Sequence, residues 1–276
     1  MIRPLVLASC LALLAGCAGT PNAATSPATG VAASAFDQVL AGPWRDPANV
    51  VRDAHRHPAE TLAFFGVQPS QTVIEITPSA GWYSEVLAPY LRDAGAYVAA
   101  SAAAAPDSGA GKRNATLRAK FAADPARYDR VQWRDFDGKA PMLGAPASAD
   151  TVLTFRNVHN WVAGGTAEAY FKAFFDVLKP GGTLGVVDHR AAPGTGLDAM
   201  KSSGYLTEAL VIDAAQAAGF VLEARSQVNA NPADTKDHPN GVWTLPPVRR
   251  HDGGDAAKYL AIGESDRMTL RFRKPR

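Results

Sequence analysis

Apolar positions along the chain follow two periods. Short runs of strand character occur at residues 73–76, 96–100, 130–133, 151–155, 183–187, 220–226 and 267–272. Between several of them, apolar residues recur three and four apart. One set is Tyr83, Val86, Leu87, Tyr90 and Leu91; another is Ala167, Tyr170, Phe171, Phe174 and Leu178; a third is Leu206, Leu210, Val211, Ala214 and Ala218. The first pattern predicts strands and the second amphipathic helices. Asp46-Pro47 reads as a helix start whose pattern runs through Val51, Ala54, Leu62 and Phe65, with an interruption at Pro58 and an end at Gly66. A further helix is predicted over 114–122, and residues 101–111, rich in Ala, Gly and Ser, read as a loop. Pro89 should free the carbonyl of Glu85 and bend its helix. Thr166 should cap the next helix, and Lys179-Pro180-Gly181-Gly182 should stop it. Strands alternating with helices predict an α/β fold, a mostly parallel seven-stranded sheet with helices on both faces. No long helix separates the last two strands, so one late strand should be antiparallel.

The N-terminus changes the picture of where the chain works. A short n-region with Arg3 precedes an apolar run from Leu5 to Leu14, too short to span a bilayer and suited to a secretory signal. Leu14-Ala15-Gly16-Cys17 resembles a bacterial lipobox; Leu7-Ala8-Ser9-Cys10 also fits but leaves an apolar run of only a few residues. The resemblance implies cleavage after residue 16 and lipidation of Cys17. Residues 17–35 would then be a tether rich in small residues and 36–276 the domain. Ala18, in place of Asp, points by the same resemblance to the periplasmic face of the outer membrane, with contact through the lipid alone. The chain has two cysteines, Cys10 and Cys17, so the domain is expected to lack disulfides and thiol chemistry. The composition, 47% hydrophobic and 20% charged over 276 residues, supports a sizeable core. The net charge is +2 with acids and bases interspersed, which gives no nucleic-acid footprint. Arg267, Arg271, Arg273, Lys274 and Arg276 alternate with Met268, Leu270 and Phe272, as in a strand with a solvated outer face.

Five features in order carry a resemblance: VIEITPSAG, the strand beginning at Tyr97, the strand leading to Asp135, DTVLTFRNVHNW, and FFDVLKPGGTLGVVD. Together, over residues 45–275, they resemble the class I S-adenosylmethionine-dependent methyltransferases, a Rossmann-like fold. The segments RDAHRHPAETLAFFGV, NANPADTKDHPNGVWTLPP and YLAIGESDRMTLRF also resemble a bacterial group of exported predicted methyltransferases. The resemblance implies S-adenosylmethionine as cofactor, lying across the carboxyl ends of the strands beside the first one. Glu75 would orient the turn or reach the methionine ammonium, and Thr77, Ser79 and Gly81 would lie under the methionine and ribose. Asp135, with Phe136, would meet the adenine; Arg156 and Asn157 would border the cofactor; His159, Asn160 and Trp161 would face the substrate. Two departures stand out. The family turn is Gly-x-Gly-x-Gly where this chain has Thr77, Ser79 and Gly81, and the ribose-binding acid after the second strand is replaced by a segment with Ser101. A serine lacks the charge-assisted bidentate contact of a carboxylate.

The residues themselves allow some chemistry. His159 after a buried strand reads either as a general base or as a hydrogen-bonding partner of a loop backbone. Asp188 and His189 end the fifth strand on the same rim. Adjacent strand residues point to opposite faces, so Asp188 should pair with a residue other than His189. The polar, Pro-rich tract 229–247 reads as a binding segment or a surface excursion, with Asn229, Asn231, Asp234, Lys236 and His238 as candidate substrate contacts. No metal-ligand spacing and no G-x-S-x-G elbow occur, so no metal site and no α/β-hydrolase are expected.

Overall fold

The computed structural model describes residues 34–276; Cys17, the signal segment and the tether up to residue 33 lie outside them. The elements run α1 (Ala35–Leu40), α2 (Pro47–Val50), α3 (Asp53–Arg56), α4 (Pro58–Phe65), β1 (Thr72–Ile76), α5 (Ser84–Leu91), β2 (Ala96–Ala102), α6 (Gly109–Ala122), α7 (Pro125–Tyr128), β3 (Gln132–Phe136), β4 (Ala149–Phe155), α8 (Val158–Gly164), α9 (Ala167–Val177), β5 (Leu178–His189), α10 (Leu197–Ser203), α11 (Glu208–Ala217), β6 (Val221–Ser226), a 3-10 turn (Gly241–Thr244), α12 (Ala256–Ile262) and β7 (Arg267–Arg273). The seven strands form one sheet in the order β3-β2-β1-β4-β5-β7-β6. Only β7 runs antiparallel to its neighbours. The direction of winding reverses between β1 and β4, and the carboxyl ends there leave a crevice.

Strand alternation sorts the core into two layers. Ile74, Ile76, Val98, Ala100, Val152, Leu184 and Val186 face α9 and α11 through Phe171, Phe174 and Val211. Val73, Tyr97, Ala99, Leu153 and Val187 face the layer of Phe65, Val86, Leu87 and Phe121. Each fully buried large side chain of this kind contributes roughly 1.5–3 kcal/mol. At Gly185 a Cβ would lie 2.8 Å from the Phe65 ring, so α4 rests directly on the sheet because residue 185 has no side chain.

Several boundaries differ from expectation for identifiable reasons. The helical stretch 47–65 is broken into α2, α3 and α4, with His57 left-handed before Pro58. Ser108 accepts a hydrogen bond from the Gly111 N–H and starts α6 five residues before the predicted helix at 114. Thr166 precedes α9 without a capping bond, while Thr207 does cap α11. The Lys-Pro-Gly-Gly turn is absorbed into β5, where Leu178 already pairs with Ala149. Helices α8 and α10 were not predicted. Pro89 does free the Glu85 carbonyl, and the Trp44 indole N–H fills the vacancy at 3.2 Å.

The outer face of β7 is only partly solvated, with Arg267 buried and Arg271 and Arg273 half-buried. β7 lies inside the sheet, and α4 touches it. Arg267 is buried and bonds Glu264 at 3.1 Å; Arg271 and Arg273 bond Glu223 at 2.8 and 2.7 Å. The polar tract is likewise turned inward. Asn229 donates to Thr61 and Thr269 (3.0 Å each), and Asn231 donates to the carbonyls of Ile262 and Glu264 (2.8 and 2.7 Å). The Asp234 carboxylate is fully buried, 2.8 Å from His238 Nε2, and accepts from the Tyr205 hydroxyl and the Asp266 N–H. Lys236 pairs with Asp266 at 3.1 Å. These residues knit the tract to the end of the chain, because buried polar groups without partners are costly. Asp234→Ala leaves three such groups unsatisfied. The expected loss is about 3 kcal/mol, read by urea unfolding; a loss below about 1 kcal/mol would show the tract to be held by other contacts.

Candidate active site

A cavity of about 700 Å³ opens at the reversal of the sheet, within the range of small-molecule sites. Its floor is the turn after β1, with Thr77, Pro78, Ser79 and Ala80 lining it. Thr77, Ser79 and Gly81 have φ of 52°, 57° and 80°. All three glycine places of the family turn are therefore left-handed, although two carry side chains. A β-branched threonine there costs about 1–2 kcal/mol of strain. The Thr77 N–H donates to the Ala100 carbonyl at 2.7 Å and holds it. At Gly81, φ 80°, a Cβ would fall 2.4 Å from Leu117 Cδ1, so a side chain there would be strained and would push Leu117 aside.

Glu75 stands behind the turn, buried, accepting from Ser84 Oγ at 2.8 Å and the Tyr97 hydroxyl at 2.5 Å. It ties β1 to β2 and to the first turn of α5. Burial raises its pKa from 4.5 to about 7, against the opposing pull of both hydrogen bonds.

The far end of the cavity is built differently from expectation. β3 begins later than the predicted strand, so Asp135 and Phe136 belong to the strand itself. Their side chains leave on opposite faces of the sheet. Asp135 pairs with Arg118 at 2.7 Å beside Trp133, and Phe136 packs edge-on to Tyr170 in the core. Neither lines the cavity. Ser101, paired in register with Asp135, does line it, together with Arg113 and Asn114 of α6.

The reactive side chains gather on the β4 side. Asn157 anchors the start of α8 by donating to the Ile76 carbonyl (2.9 Å) and Thr154 Oγ1 (3.2 Å). His159, one turn into the site, has Nδ1 2.9 Å from Asp188 Oδ1. Asp188 is fully buried and also accepts the N–H groups of His159 (3.2 Å) and His189 (2.7 Å). With both Asp188 oxygens accepting, His159 Nδ1 is the donor of this pair and Nε2 is the nitrogen turned away from it. The expected partner of Asp188 other than His189 is thus His159. His189 lines the cavity with Nδ1 2.6 Å from Ser265 Oγ. Burial, followed by the charges of His159, Arg156, Arg267 and Arg56, holds its pKa well below 6.5, so it is neutral at pH 7. Asn160 is exposed at the cavity, whereas Trp161, a helical step further on, turns into the core and stacks on Tyr170 at 4.1 Å.

No metal site was expected. Among the described residues, ligand-type atoms of His159, Asp188 and His189 lie within 4.8 Å of one another. The arginines around them and the three donors already on Asp188 suit a proton-transfer pair better than a cation.

The walls come from segments that carried a resemblance, through residues with no assigned site role. Arg52 and Arg56 enter from the N-terminal helices, Val242, Trp243, Pro246 and Pro247 from the end of the polar tract, and Arg250 from just beyond it. Asn229, Asn231, Asp234 and Lys236 are not among the lining residues; their place is the knot beneath. The apolar VWTLPP end of the tract was the available signal. Glu264 is bonded by Arg52 (2.7 Å), Arg56 (3.1 Å) and Arg267 (3.1 Å). Burial works against its ionisation, but Arg56, Arg267, Arg156 and Arg52 outweigh it and hold the pKa near 2.

No family model matches the chain, and no curated relative does. Solved structures do share its fold. A SAM-dependent methyltransferase from Aquifex aeolicus is 14% identical over 83% of this chain and 94% of its own, with a TM-score of 0.54. The cyclase SpnF is 15% identical over 80% of this chain and 82% of its own, with a TM-score of 0.56. The YcgJ protein from Bacillus subtilis is 12% identical over 80% of this chain and 99% of its own, with a TM-score of 0.52. The chain has the class I methyltransferase fold.

Glu75 gives the site a pH signature. Its raised pKa means the native state binds the proton more tightly than the unfolded chain. The associated stability is present below about pH 4.5 and is lost as pH rises to about 7. The loss is on the order of 3 kcal/mol. Glu75→Gln should remove it, so the difference in stability between variant and native protein grows from pH 4.5 to 7 and is flat above. Parallel stability curves for the two proteins would contradict the assignment.

Proposed function

We propose that this chain is an S-adenosylmethionine-dependent methyltransferase acting on a small molecule or an envelope component. The observation that carries the reading is the His159–Asp188 pair opening into a cavity whose floor keeps the left-handed backbone of the family turn. The bound donor would supply an electrophilic methyl group. Thr77, Ser79 and Gly81 would lie beneath its methionine part, with Glu75 fixing the turn, while Ser101 and Asn114 border the ribose end. Asn157 and Arg156 edge the cavity beside the base. His159 Nε2 would take the proton of the acceptor hydroxyl, amine or acidic carbon, Asp188 would stabilise the resulting imidazolium, and neutral His189 and Trp243 would limit water. Most of the acceleration is positioning.

A second reading, a binding protein without turnover, draws support from Ser101 in place of the ribose acid and from Asp135 outside the cavity. The fold alone does not choose, since it also carries a cyclase. We also propose that the protein is a lipoprotein anchored through Cys17 at the periplasmic face of the outer membrane; mass spectrometry of the mature N-terminus should find a lipidated cysteine, and an unmodified one overturns the anchor. For the enzyme, calorimetric titration with the demethylated donor should give one-to-one binding, and its absence removes the methyltransferase reading. Given an acceptor, His159→Gln should slow methyl transfer by about 10²–10⁴-fold while that product still binds.

A further inference from the structure

We propose that Arg156, with Arg52 and Arg56, seats a carboxylate or phosphate group of the acceptor substrate. The inference rests on the methyltransferase reading, because it assigns the anion to the acceptor.

Charge balance is the starting point. Arg52, Arg56, Arg156 and Arg267 surround Glu264, and all but Arg267 line the cavity. The other nearby carboxylate, Asp188, is engaged by His159. The lining contains one acid, Glu75, whose bonds run to Ser84 and Tyr97. The cluster therefore holds more guanidinium charge than its own carboxylates neutralise.

The donors are also unspent. The side chain of Arg156 makes no hydrogen bond or ion pair among the described residues, although it lines the cavity. Its backbone is left-handed, φ 62°, held there by an N–H bond to the Val187 carbonyl at 2.7 Å. Arg56, 4% exposed, lies over the Trp82 ring at 4.7 Å and gives Nε to Glu264, while its Nη2 has no partner; Nη2 of Arg52 has none either. Unpartnered buried donors are costly, and a planar oxyanion accepts from several guanidinium forks at once. Burial, together with the charges of Arg267 and Arg52, lowers the Arg156 pKa to about 10 against the pull of Glu264 and Asp188. A bound anion would offset the burial and the smaller repulsion together. Arg156 sits three residues before His159, so an acceptor held by its anionic group carries its nucleophile toward the base.

The methyl donor has a carboxylate of its own, and the test separates the two sources. Inorganic phosphate and glutarate are titrated calorimetrically into the full-length chain, with and without the demethylated donor. Saturable binding is expected, at least tenfold weaker in Arg156→Gln. Arg156→Lys, which keeps the charge and loses the fork, should bind phosphate with a smaller loss and serves if the first variant folds poorly. Affinity for the demethylated donor should change less than threefold in either variant. No saturable anion binding, or equal binding by native and Arg156→Gln protein, overturns the proposal. So does a variant that loses the demethylated donor but retains methylthioadenosine, which lacks the carboxylate, because the arginines would then hold the donor. Arginine-dependent phosphate binding in a chain that never takes the demethylated donor keeps the anion seat and removes only the methyl-transfer reading.

Discussion

Glu264 is a single carboxylate reached by guanidiniums from both ends of the domain. Arg52 and Arg56 come from the N-terminal helices, more than two hundred residues away in sequence, and Arg267 from the start of β7. The sheet supplies the floor of the cavity, but this contact brings its N-terminal wall over it. The Nη2 group of Arg267 meets the His55 carbonyl, and Asn231 holds the Glu264 carbonyl, so the backbone on both sides of the contact is fixed as well. A buried carboxylate among several arginines is stabilised by charge and penalised by desolvation, and here charge prevails.

The histidine side of the cavity depends on a different economy of space. Asp188 is buried behind two histidines, and its bonds to the His159 and His189 N–H groups fix the start of α8 against the end of β5. His159 is then aimed by backbone as well as by side chain. Thr77 and Ser79 show the same logic under strain: the turn keeps the shape that glycine would adopt freely, because Glu75, Ser84 and the Ala100 carbonyl hold both its ends. Strained backbone persists only where the surroundings over-determine it.

Periodicity made the sheet legible, including its antiparallel late strand, since buried parallel strands are short apolar runs and their helices carry clear stripes. The site was legible only in part. Glu75, the turn residues and His159 follow strands whose ends are well marked. Asp135 was misplaced because β3 begins later than its apolar signal, and that shift decides whether an acid ends a strand or lies along it. Helix α8 gave no start signal: Asn157 spends its amide on Ile76 and Thr154 in place of a cap. The β7 arginines looked solvated because alternation reports which residues share a face, and says nothing of what covers it. The pairing of Arg52 and Arg56 with Glu264 is a contact across the whole domain, and no local pattern encodes it.

The strand that comes last in the chain is not last in the sheet. β7 lies between β5 and β6, and β6 touches no other strand. β1 to β5 pair with one another, but β6 has no partner strand until residues 267–273 are in place. Glu264 and Ser265, which hold Arg52, Arg56 and His189 of the cavity lining, lie just before β7. A chain cut before residue 264 would keep β1 to β5 paired and lose the contacts that fix the site.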